Sequence, residues 1–64
     1  AGLDEYIASL NFALAEVFAE QQDLARALTH AQRASELSEQ LDDGKFAEAV
    51  SELVAQLEQA TTEQ

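Results

Sequence analysis

A chain of 64 residues has room for one domain, and at 47% hydrophobic residues it holds too much apolar side chain for a disordered polyelectrolyte. Thirteen acidic residues against three basic ones give a formal net charge of −10, which argues against nucleic acid and anionic membranes as partners, because both are met with Lys and Arg. There is no Cys, so disulfide and thiolate–metal staples are excluded, and the composition suits a reducing compartment such as the cytoplasm, where the chain is expected.

The dominant residues, Ala, Leu, Glu and Gln, lead the helix propensity scale, and Pro is absent. The expected fold is all-α, a short antiparallel three-helix bundle over residues 3–21, 24–41 and 45–60. In the first segment Leu3, Ile7, Leu10, Leu14 and Val17 follow a four-three spacing, the stripe of an amphipathic helix, and are expected to face the core. Tyr6 and Phe18 widen it. At 100° per residue Ala8, Phe12, Ala15 and Ala19 fall on the opposite face, where an isolated amphipathic helix would carry charge. That ridge is expected to be a second, outward packing surface.

Gln21-Gln22-Asp23 separates the first two segments, with Asp23 as an N-cap type. The second segment has Leu24, Ala27, Leu28, Ala31, Ala34, Leu37 and Leu41 as its apolar set. Much of this set is Ala, as a middle helix with two close neighbours requires. Asp42-Asp43-Gly44 is the clearest stop, with Gly44 suited to a left-handed position and Asp42 or Asp43 able to cap the next helix. Phe46, Val50, Leu53, Leu57 and Ala60 then repeat the four-three spacing, and Thr61 to Gln64 reads as a frayed tail. An alternative follows from the absence of Gly and Pro between residues 3 and 43. One long helix plus a short one would require a second chain to cover the long stripe.

Ala15 to Ala34 resembles a tetratricopeptide-type helical hairpin. Ala15 and Phe18 match its small residue followed three later by an aromatic, Gln22-Asp23 its turn, and Ala27 and Ala34 the small residues of its second helix. Gln22 stands where Gly is usual, Ala31 where a larger residue is usual, and Glu39 where Pro often closes the unit. Gly44 to Ala49 looks like a second such turn, closer than the family's 34-residue period. The resemblance implies protein–protein recognition and no catalysis.

Arg26, His30 and Arg33 lie at i, i+4 and i+7, a basic stripe on an acidic chain. It reads as a solvated ion-pair face, or as a contact for the acidic residues of a partner or second copy. His30-Ala31-Gln32-Arg33-Ala34-Ser35 is also similar to the histidine phosphotransfer pattern, although that family builds its site in a four-helix bundle. No zinc, calcium, phosphate-loop or catalytic-triad spacing is present, and no cofactor is expected. The expected function is therefore that of a non-enzymatic docking, dimerisation or adaptor domain, compatible with excision from a larger protein. A homodimer is expected, with Ala8, Phe12, Ala15, Ala19, Arg26, His30 and Arg33 as contact residues. The alternative is a phosphotransfer-like fragment using His30.

The charge imbalance sets a first prediction. Mutual repulsion of the carboxylates opposes compaction, and salt screens it. The melting temperature, followed by circular dichroism, should rise by a few degrees from low to moderate NaCl. A fall would show that specific ion pairs outweigh the general repulsion.

Overall fold

The computed structural model describes residues 2–63. These form three packed helices and no strand: α1 (Gly2–Glu20), α2 (Leu24–Leu41) and α3 (Gly44–Glu63). The fold is the all-α three-helix bundle expected, and the long-helix alternative is not what forms. α3 continues through Thr61 and Thr62, so the expected fraying point lies inside a helix; Ala1 and Gln64 lie outside the described residues. Among the described residues no helix is long and apolar enough to cross a membrane.

The break after Glu20 has a local cause. Gln22 adopts φ 67°, in the left-handed region. The Gln22 amide donates to the Ala19 carbonyl at 3.1 Å and the Asp23 amide to the Phe18 carbonyl at 2.9 Å. This pair of bonds is the Schellman termination, which satisfies the last carbonyls of α1 and turns the chain. Asp23 then caps α2, its Oδ1 accepting weakly from the Arg26 amide at 3.4 Å. The second turn shares the left-handed residue and the aspartate cap. Asp42 is left-handed at φ 55°, and the Asp43 carboxylate accepts from the Phe46 amide at 3.2 Å. The left-handed position expected of Gly44 thus belongs to Asp42, whose short polar side chain tolerates that conformation. Gly44 has an ordinary negative φ, opens α3, and has nothing within 4 Å of where a Cβ would stand.

α2 is the central element and packs against both neighbours, whereas α1 and α3 touch little. One link between them is an edge-to-face contact of the Phe12 and Phe46 rings, with centroids 5.7 Å apart. The core is built mainly of small residues. Ala8, Ala15, Ala27, Ala31 and Ala34 are fully buried, together with Val50 and, nearly so, Leu57. Ala15, Ala27, Ala31 and Leu57 form one cluster, joining all three helices, and Phe18, Leu24, Leu28, Leu53 and Val54 pack around it half-buried.

This arrangement reverses the expected orientation of α1. The face of Ala8, Phe12, Ala15 and Ala19 turns inward, and the bulkier stripe turns outward. Leu3 is 68% exposed, Tyr6 66%, and Leu10 and Val17 47% each. Ile7 and Leu14 are half-buried. The reason lies in the partner helix. α2 offers α1 a surface of Ala, and two Ala faces let the backbones approach closely, so packing contacts are gained that a Leu stripe would hold apart. Leu14 and Leu53 are accordingly intermediate positions and not the centre of the core.

Substitutions at the cluster should separate size from hydrophobicity. Leu57→Ala removes a large buried side chain and should cost roughly 2–5 kcal/mol, enough to unfold much of so small a domain. Ala31→Leu adds hydrophobic bulk where the helices meet, yet should destabilise by about 1–3 kcal/mol or more through overpacking. Urea unfolding by circular dichroism measures both; a stabilised Ala31→Leu would contradict the close approach described here.

Candidate functional site

The residues expected to form one basic stripe are divided between two tasks. Arg26 stays exposed, with its Nε 3.5 Å from Asp23 Oδ2 and its guanidinium 5.9 Å from the Phe18 ring centroid. An ion pair this open contributes little. Arg33 is exposed one helical face-repeat further along α2. His30 instead turns toward α1. Its ring stacks on Phe18, with centroids 5.5 Å apart and planes 11° from parallel. Its Nδ1 lies 2.9 Å from Asn11 Oδ1.

The tautomer of His30 follows from its partner. Asn11 Nδ2 donates to the Ile7 carbonyl at 2.9 Å, which leaves Oδ1 as the acceptor, so the proton between the residues sits on His30 Nδ1. Asn11 is 8% exposed, between Ala8 and Ala15 on the inward face, and both its polar groups are satisfied. Burying an amide without such partners would cost roughly 1–3 kcal/mol. Its position on the Ala face was a readable signal that sequence reasoning passed over. His30 therefore contributes to holding α1 against α2, with one ring nitrogen committed to Asn11.

Of the expected contact residues, Ala8 and Ala15 are wholly covered by the chain's own helices, and Phe12 and Ala19 are half-buried against them. A ridge so occupied is not free for a partner, because the α1–α2 contact uses it. The surface that is free lies across α1. Leu3, Tyr6, Leu10 and Val17 form a contiguous exposed apolar stripe, and Ala13 lies within it. Leu3, Leu10 and Val17 recur every seven residues. Ser9 and Glu16 border the stripe on one side. The other side carries Ile7 and Leu14, followed by the edge of α2 with Arg26 and Arg33. Elsewhere, an open depression at the second turn is lined by Ser38, Glu39, Asp42, Asp43, Gly44 and Ala47. Asp43 is already used there as a helix cap, and Ser38 Oγ donates to the Ser35 carbonyl at 2.8 Å.

The His30 assignment is open to direct measurement. Long-range 1H–15N spectra at a pH where the ring is neutral should give the Nδ1–H form in the wild type. In Asn11→Ala the ring should revert toward the Nε2–H form usual in water, with a stability loss of about 1 kcal/mol. An unchanged tautomer would mean that Asn11 does not hold the ring.

Comparison of the chain with protein-family models, with curated proteins and with solved structures finds no significant match. The functional reading accordingly rests on the geometry of α1 and α2.

Proposed function

We propose that this chain is a non-catalytic protein–protein interaction module whose contact surface is the outer face of α1. The observation that carries the reading is the exposed stripe Leu3, Tyr6, Leu10 and Val17. Single exposed apolar side chains are ordinary, but four aligned along one helix mark a face suited to another apolar surface. The total accessible surface points the same way. It is 4457 Å², against about 4,000 Å² for a typical monomer of this mass. The tetratricopeptide-like hairpin adds support. Gln22, where that family has Gly, occupies the left-handed conformation that Gly favours, and Ala15 meets Ala27 and Ala31 across the hairpin. Three packed helices are compatible with such a repeat. The further role for His30, phosphoryl transfer, finds less support in a ring stacked on Phe18 and bonded through Nδ1.

A photo-reactive amino acid placed at Leu10 tests the reading in cells that make the chain, with Glu52 on the exposed face of α3 as the control position. Light should join position 10, and not position 52, to a protein. Equal labelling at both, or none at either, would remove the basis for assigning contact to α1.

A further inference from the structure

We infer that the occupant of the α1 stripe is a second copy of this chain, lying parallel to the first about a twofold axis along α1. The inference rests on the interaction-module reading and specifies its partner. Two observations select it: the spacing of the stripe and the signs of charge on its two borders.

Leu3, Leu10 and Val17 repeat at seven residues, with Tyr6 and Ala13 at the intervening positions. This is the pattern of a two-helix seam, in which each side chain enters a hole on the facing helix. A seam of this kind fits another helix of the same pattern, and α1 of a second copy supplies it. The 19 residues of α1 span about 28 Å, enough for nearly three heptads.

The borders decide the direction. One border of the stripe is acidic, with Glu16 beside the seam and Glu5 and Glu20 near it. The other is the α2 edge that carries Arg26 and Arg33. Arg26 lies over Phe18 and so stands level with Glu16 and Glu20, while His30 touches both Asn11 and Phe18, which places Arg33 about level with Asn11. In an antiparallel twofold pair, like border would face like border, setting acids against acids and arginines against arginines. In a parallel pair, the acidic border of each copy faces the arginine edge of the other, with Arg26 at the height of Glu16 and Glu20. The parallel arrangement thus pairs opposite charges twice, in a chain with a net charge of −10 that otherwise repels its own copy.

The chain has no Cys, so introduced thiols report the arrangement without background. Sedimentation equilibrium of the wild type at about 100 µM should give about twice the 7.0 kDa monomer mass. Leu10→Glu should weaken the dimer at least about 30-fold, and Glu16→Arg about tenfold, with the helical circular dichroism retained. Under mild oxidation Leu3→Cys alone and Val17→Cys alone should each form a covalent dimer, because a parallel seam places each position against itself. If only the mixture of the two variants cross-links, the pair is antiparallel and the inference fails. If the wild type remains a monomer, a second copy is not the occupant. Photo-labelling of a different protein from position 10 would then leave the interaction-module reading standing, whereas no labelling would remove both.

Discussion

The close contact of α1 with α2 through alanine is the constraint on which the rest of the structure depends. Ala8 and Ala15 on one helix and Ala27, Ala31 and Ala34 on the other are all fully buried. Side chains this small contribute little hydrophobic transfer energy each, but they lose no rotamer freedom and let many backbone atoms come into dispersion contact. Once that contact forms, the larger residues have fixed places. Phe18 and Leu28 flank the joint, Leu57 from α3 closes over it, and the leucines of α1 are left outside. The outward stripe is therefore a consequence of how the hairpin packs.

The two turns make this packing achievable in a short chain. Gln22 and Asp42 both take the left-handed conformation, each is followed by an aspartate, and each aspartate caps the next helix. A reversal of three residues at the first turn and of two at the second sends each helix back along its predecessor. It also keeps α2 in the centre, where its two sides are used by different neighbours. Neither turn uses glycine at the left-handed position, so each carries a modest backbone strain that the packed helices hold in place.

The sequence made the helices and their ends legible, because propensity and capping act locally: residues 24–41 were bounded correctly, and the other two helices to within a few residues. What it did not make legible was the direction in which α1 faces. Apolar residues cover most of the circumference of that helix, with Glu5, Ser9, Glu16 and Glu20 as a narrow polar strip. Bulk then pointed to the leucine stripe as the core face. The choice is made by complementarity to α2, a property of two segments that no single helical pattern contains. The same limit explains Asn11 and His30. His30 taken alone belongs to a basic stripe, but it and Asn11 are explained by each other, 19 positions apart.

A core of alanine also sets how the protein responds to temperature. The heat capacity change of unfolding grows with the apolar area that unfolding exposes, and for an average chain of 64 residues it would be about 0.8–0.9 kcal/mol/K. Here, among the described residues, Val50 and Leu57 are the only large side chains in the buried hydrophobic core, while several leucines already meet water in the folded state. Folding removes less apolar surface than usual, and the heat capacity change falls with it. The curve of stability against temperature is then flat: the protein gives up little on cooling, has no sharp optimum, and melts over a broad interval on heating.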